Sequence, residues 1–226
     1  MFSAMRVEYV DHMGSDINVV NAARVSFAKE VKEIDLEKDK KLITYLAKHN
    51  HWSPLAHTSV SIRVKAPIFM ARQFVKHQIG LVWNEESRRY IDDTPEFYLP
   101  QVWRGRPTNA KQGSSSEVIE TGFFQSCGGE MPVSEMAKLF VEDALTMYED
   151  LLVSGIAPEQ ARMFLPQNTM TNWIWTGSLV AFARVCKLRL DSHAQAEAQE
   201  LAQLIHDVVQ PLYPLSWEAL MEHTKA

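Results

Sequence analysis

Residues 76–90 read KHQIGLVWNEESRRY, which crowds His77, Gln78, Asn84, Glu85, Ser87, Arg88 and Arg89 among Ile79, Leu81, Val82 and Trp83. A serine hydroxyl beside guanidinium groups suits a phosphate, and an amide next to a carboxylate suits the edge of a planar heterocycle. The competing reading is a solvated loop with incidental charges, which the interleaved apolar residues disfavour. If the run is extended, Glu85 and Ser87 share a side, while Arg88 and Arg89 point to opposite faces. A second cluster, KLRLDSHAQ, carries Lys187, Arg189 and His193. Here Arg189 precedes what reads as a capped helix start, with Asp191 or Ser192 as cap and Ser192 with Gln195 as a capping box. Free N–H groups at such a start favour anions. Taken alone, that cluster is better explained by an Arg189–Asp191 salt bridge with His193 in the cap region. The third feature is Arg162 in EQARMFLP.

The elements that must position these groups are partly legible. Met5 to Val10 reads as a strand, and 18–27 and 36–49 have helical spacing, with Leu36, Ile43, Leu46 and Ala47 on one side of the latter. HTSVSIRVK alternates Val60, Ile62 and Val64 against Ser59, Ser61 and Arg63, a strand pattern. Pro67 opens a predicted helix that runs to Gly80 and lines up Arg72, Gln73, Lys76 and His77 as one polar stripe. Residues 101–132 are polar, with glycine and proline, and read as a long surface loop or insertion. Ser134 caps a predicted helix to about Ser154, a short helix spans Ala157 to Phe164, and Trp173 to Leu188 reads as a buried helix. The fold class that follows is α+β, helix-rich with a small, mainly antiparallel sheet, in a single domain over 1–226.

Composition narrows the function classes. At 226 residues, with 46% hydrophobic and 23% charged side chains, the chain is an ordinary globular protein. A net charge of −5 disfavours a dedicated nucleic-acid binder. No apolar stretch is long enough for a membrane span, and the N-terminus lacks the pattern of a secretory signal. Cys127 and Cys186 lie 59 residues apart, so there is no metal-ligand spacing and no disulfide framework, and a reducing cytoplasm is the simplest home. Cys186 reads as core, and nothing next to Cys127 would lower its pKa. No Walker-type or GxGxxG loop is present, which disfavours the common nucleotide-binding folds.

KHQIGLVWNEESRRY resembles the signature of the flavin-dependent thymidylate synthases, whose usual form is RHR, seven residues, then S, with NE before the serine and RY after it. NAARVSF, HWSPLAH, VKAPIFMARQ, PEFYLP, ARMFLP and LRLDSHAQ resemble further blocks of that family, in the same order along nearly the whole chain. The resemblance implies an FAD enzyme that methylates dUMP to dTMP. In it, 5,10-methylenetetrahydrofolate donates carbon, and NADPH supplies hydride through reduced flavin. It implies a homotetramer with active sites shared between subunits. Arg189 is then the catalytic residue, polarising the pyrimidine in place of a cysteine nucleophile. Gln73, Glu85, Ser87, Arg88 and Arg89 are implied to hold dUMP, with Arg162 reaching its phosphate or sugar from a neighbouring subunit. FAD is implied to contact Ser26, His51, Ser53, Lys76, His77, Gln78, Asn84, Glu85, Arg184 and His193; no metal is implied.

The chain departs from the family pattern. Lys76 and Gln78 stand where arginines are usual, and eight residues separate Gln78 from Ser87. Lysine is a point charge and glutamine carries none, so two forks for the FAD pyrophosphate are lost. Ser178, Leu179, Val180 and Ala181 replace a stretch that usually carries Asn and Arg for the flavin, with Arg184 as a possible compensation. The alternatives are a flavoprotein NADPH oxidase of the same fold, a non-enzymatic nucleic-acid-binding module, and a cysteine-dependent pyrimidine methylase.

Overall fold

The computed structural model describes residues 1–108 and 113–224, so the part of the 101–132 expectation that falls on 109–112 lies outside the described residues. In chain order the elements are β1 (Arg6–Met13), α1 (Asp16–Arg24), α2 (Leu36–Lys48), α3 (Trp52–Leu55), β2 (Ser59–Pro67), α4 (Ile68–Phe74) and β3 (Leu81–Glu85). They continue as β4 (Thr121–Phe124), β5 (Gly129–Pro132), α5 (Val133–Val153), α6 (Pro158–Ala161), β6 (Met170–Ser178), α7 (Leu179–Arg189), α8 (Ala196–Val209) and α9 (Pro214–His223). The class is α+β, as expected. The chain forms two compact units, one made of 1–5, 66–72 and 85–171, the other of the remaining described residues.

The second unit is organised by a four-stranded sheet in the order β1-β2-β6-β3, with β1 and β2 antiparallel. Val60, Ile62 and Val64 alternate inward on β2 as the sequence predicts and are fully buried. α2 packs on α9 and α7 on α8 and α9, burying Phe182, Leu201, Ile205 and Trp217. Asp16 fixes one end of this layer by accepting the Leu215 and Ser216 backbone N–H groups at 2.9 Å each, which supplies the cap that α9 otherwise lacks. In the first unit, Val141, Leu145 and Tyr148 of α5 form a buried cluster with Phe97 and with Ala161 of α6. Part of the segment predicted as a loop is instead the β4–β5 hairpin.

Three expectations about elements are corrected. Trp173 to Ser178 is strand, not helix: Trp173 and Trp175 are buried on alternate positions, and α7 begins only at Leu179. Ile174 adds an apolar residue on the half-buried face and the strand runs straight into buried α7, so the segment reads as one apolar run that period alone does not separate from a buried helix. The helix after Pro67 stops at Phe74 rather than running to Gly80, and Pro67 itself ends β2, so the polar residues 72–77 do not form one helical stripe. Finally, α8 starts at Ala196 with Gln195 as N-cap, because Asp191 spends its carboxylate on the backbone N–H of His193. Arg189 therefore ends α7 rather than preceding a helix N-terminus.

The 75–80 segment is held by two glycines. Gly80 adopts φ +76° just before β3, a conformation that strains other residues. At Gly177 on β6, an added Cβ would stand 2.5 Å from the Gly80 carbonyl oxygen, so only glycine permits this approach.

Candidate active site

In the second unit the end of α4 and the turn after it meet the end of α7. Arg189 Nε donates to His77 Nε2 at 3.0 Å, and its Nη2 donates to the Gln73 main-chain carbonyl at 3.3 Å. The Phe74 ring lies beneath the guanidinium, 5.6 Å from its central carbon. These contacts hold Arg189 from one side and leave Nη1 without a protein acceptor among the described residues.

The electrostatics follow from that geometry. Burial, together with the Arg189 charge, lowers the His77 pKa to about 4. The imidazole is therefore neutral near pH 7, accepts at Nε2 and carries its proton on Nδ1. Burial also lowers the Arg189 pKa, but a guanidinium remains charged. The Gln73 Oε1 atom is buried and has no hydrogen-bond partner. A buried amide oxygen without a partner costs stability unless a ligand supplies a donor. The arrangement is thus a fixed cation beside an unused acceptor.

The salt bridge from Arg189 to Asp191 does not form. Asp191 instead accepts from His193, at 2.8 Å from the backbone N–H and 2.9 Å from Nδ1, and these bonds lower its pKa. Of the residues expected to hold flavin, only His77 touches the Arg189 cradle through a hydrogen bond. Ser26 lies in a short 3-10 turn over 25–27. His51 precedes α3, which carries Ser53, and the His51 ring stands 5.7 Å from that of Tyr45. Lys76, Gln78 and Asn84 are exposed, and Arg184 is half-buried on α7. Ser178, in the stretch that departs from the family pattern, has a helix-capping role here: its hydroxyl accepts the Ala181 N–H at 3.3 Å.

The other candidates belong to the first unit. The run past β3 is a turn and not an extended strand, closed by Tyr90 N–H to the Ser87 carbonyl at 2.9 Å. The Ser87 hydroxyl accepts from Arg89 Nε at 3.3 Å and from its backbone N–H at 3.4 Å. Arg89 also lies over the Tyr90 ring at 4.9 Å, so the turn brings the Ser87 hydroxyl and the Arg89 guanidinium into direct contact. Arg88 turns inward, donating to the Asp93 carbonyl, with its Nε buried and unpartnered. Glu85 accepts from the Thr171 hydroxyl at 2.9 Å. Arg162 is exposed in the 3-10 turn after α6, its Nε 3.3 Å from the Glu159 carbonyl. Sequence reading missed Phe74 and Thr171, which touch Arg189 and Glu85 but carry no motif signal of their own.

With that geometry in place, the comparisons decide the family. The model of the Thy1 family, the thymidylate synthase complementing proteins, matches residues 8–215. The chain belongs to the flavin-dependent thymidylate synthase family. It is 38% identical over 217 residues to the flavin-dependent thymidylate synthase of Thermotoga neapolitana, covering 96% of this chain and 91% of that one. The enzyme of the same name from Thermus thermophilus is 37% identical over 217 residues, covering 96% and 76%. The solved structure of the UMP/dUMP methylase PolB from Streptomyces cacaoi bound with 5-Br dUMP superposes with a TM-score of 0.82 at 33% identity. That match covers 98% of this chain and 96% of the other.

The side chains present fit the flavin that the family name implies. A flavin's phosphate needs cations, and Lys76 and Arg184 make no hydrogen bond or ion pair among the described residues. Cys186 does not fit a nucleophile: it is fully buried, its thiol pKa is pushed up by that burial, and its sulfur faces the Ala202 carbonyl at 3.6 Å. Cys127 is exposed between β4 and β5, where its thiol contacts the Phe124 and Gly129 carbonyls and the Met131 sulfur.

Proposed function

We propose that the chain is an FAD-dependent thymidylate synthase that methylates dUMP to dTMP. The carbon unit comes from 5,10-methylenetetrahydrofolate and the reducing equivalents from NADPH. The observation that carries this reading is the Arg189 cradle, a cation fixed by Gln73, Phe74 and His77 beside the unpartnered Gln73 amide oxygen, in a chain of this family. Uracil C5 is a poor nucleophile. Negative charge must grow on a pyrimidine carbonyl as C5 attacks the methylene carbon, and Arg189 stabilises it in place. A preorganised donor of this kind is worth roughly 3–4 kcal/mol in transition-state stabilisation. No thiolate is required, which agrees with the buried, high-pKa Cys186. Bound flavin, when reduced, supplies the hydride.

The remaining residues bind and orient. Gln73 and Glu85 read the base edge, and Ser87 and Arg89 hold the phosphate with Arg162 of a neighbouring subunit in a homotetramer. Arg88 braces the turn through the Asp93 carbonyl. Ser26, His51, Ser53, Lys76, His77, Gln78, Asn84, Arg184 and His193 contact the flavin, and the whole of 1–226 serves as one catalytic domain. No helix among the described residues is long and apolar enough to cross a membrane.

UMP is a second substrate to test, because the structural neighbour is named a UMP/dUMP methylase and is solved with 5-Br UMP as well as 5-Br dUMP. The deciding assay is anaerobic: dUMP or UMP, methylenetetrahydrofolate and NADPH, with and without FAD. The expected result is a methylated nucleotide only when FAD and NADPH are both present, with tetrahydrofolate as the folate product. NADPH oxidation with no methylated product would replace this reading with the oxidase.

A further inference from the structure

Thr171, the second residue of β6, places a hydroxyl in the interior, where it is only 5% exposed. A buried hydroxyl has to find an acceptor. Of the threonines buried among the described residues, Thr58 and Thr169 find theirs locally. They donate to the Leu55 and Pro166 carbonyls, three residues back, at 2.9 and 2.7 Å. Thr171 instead donates to Glu85 Oε1 at 2.9 Å, across 86 residues of sequence. A hydroxyl that closes no turn and is aimed at a carboxylate calls for a reason of its own.

The two ends of that bond differ in freedom. Around Thr171 the backbone is fixed: the Met170 N–H donates to the Glu96 carbonyl at 2.7 Å, and the Thr169 carbonyl accepts the Ile68 N–H at 2.9 Å. A β-branched side chain on such a strand also has little freedom at χ1, so its hydroxyl points one way. Glu85 is the last residue of β3 and is exposed. A long exposed side chain spreads over several rotamers and loses that freedom when it engages a ligand. A bond from a rigid, buried donor removes the spread in advance. An ionised carboxylate has about four lone-pair positions, so accepting from Thr171 does not exhaust Glu85.

We infer that Thr171 is a positioning residue for the nucleotide, acting through Glu85. It fixes the carboxylate where the N3–H of a uracil ring meets it. That N–H is the one ring donor a uracil nucleotide offers, and a hydrogen bond weakens steeply as it bends, so the acceptor must stand in a set place. The inference rests on the proposed reading of Glu85 as a reader of the base edge.

The test is a double-mutant cycle on the full chain with its flavin bound, with dUMP affinity measured by calorimetry. Thr171→Val keeps the branched shape and removes the donor. It should weaken dUMP about tenfold, the scale of one hydrogen bond to a charged group, and Thr171→Ser should recover most of that. In a Glu85→Ala background, Thr171→Val should change dUMP affinity by less than about twofold, because the carboxylate it orients is gone. An equal loss in both backgrounds would make Thr171 a structural residue and overturn the inference. So would native affinity in Thr171→Val, or a serine that rescues nothing. Should Thr171→Val fail to fold, Thr171→Ala in both backgrounds supplies the same cycle. A chain that couples Thr171 to Glu85 in dUMP binding but forms no methylated product would overturn the proposed function and leave this inference standing. Methylation without that coupling would overturn the inference alone.

Discussion

Arg189 and Arg89 are both guanidiniums in polar motifs, yet the chain treats them differently. Arg189 is partly buried and held from below by a backbone carbonyl, a neutral imidazole and an aromatic ring. Arg89 is exposed and held only by its own turn, through Ser87 two residues away and Tyr90 beside it. A group fixed by the protein acts on the transition state without reorganising; a group on an exposed turn orders as it binds and contributes mainly affinity. The two regions should therefore fail differently when they are cut.

The largest effect is expected at the cradle. Arg189→Ala should lower turnover by about 10³-fold while leaving FAD content near native, since the lost contact is one to developing charge. Equal loss of turnover and FAD would make Arg189 a structural residue and erase the contrast. Next comes the acceptor beneath it. His77→Ala should cost about 10² in kcat by loosening Arg189, and His77→Gln, which keeps an acceptor, should recover most of that. If Gln rescues nothing, orientation of Arg189 is not what His77 provides.

His77 also gives a pH signature. It titrates at about 4 in the fold and near its ordinary value of 6.5 when unfolded, so between these the unfolded chain binds the extra proton. Stability should fall as pH drops through that window, and thermal melts of His77→Gln should show a shallower slope there. An identical slope in both proteins would mean other groups dominate.

The exposed group should respond more mildly. Arg89→Ala and Arg162→Ala are expected to raise KM for dUMP about tenfold with kcat little changed. A fall in kcat as large as that of Arg189→Ala would show that the turn, too, acts on the transition state. The smallest effect belongs to Cys127→Ala, expected to leave dTMP formation within about twofold; abolition would restore the cysteine-dependent mechanism.

Much of this was legible in one dimension, for local reasons. β2 was readable because Val60, Ile62 and Val64 face a core on one side only, and α2 because its apolar positions repeat with the helical turn. The candidate residues were readable as blocks, since residue types that bind phosphate or bases cluster in short runs. The errors have equally local causes. Trp173 and Trp175 lie on a strand whose half-buried face carries apolar Ile174 and which runs directly into buried α7, so its alternation is masked, and Asp191 mimics a helix cap while closing a turn. The exchange of the expected Arg189–Asp191 pair for Asp191–His193 followed from that turn.

By itself, then, the sequence determined the α+β class, because short-range periodicity carries it, and which side chains are available for chemistry, while the family was legible in the resemblance of its ordered motif blocks. Only the tertiary structure decided which of them meet. His77 and Arg189 are 112 residues apart, and nothing in either neighbourhood announces the bond between them. It exists because β2 and β6 lie side by side in the sheet while Gly177 lets the Gly80 backbone come close, which brings the segment after α4 to the end of α7. The neutral imidazole, the unpartnered Gln73 oxygen and the unpaired Arg184 are consequences of that packing. Burial sets the pKa of a side chain and its hydrogen-bonding debts, and burial is a property of the folded chain.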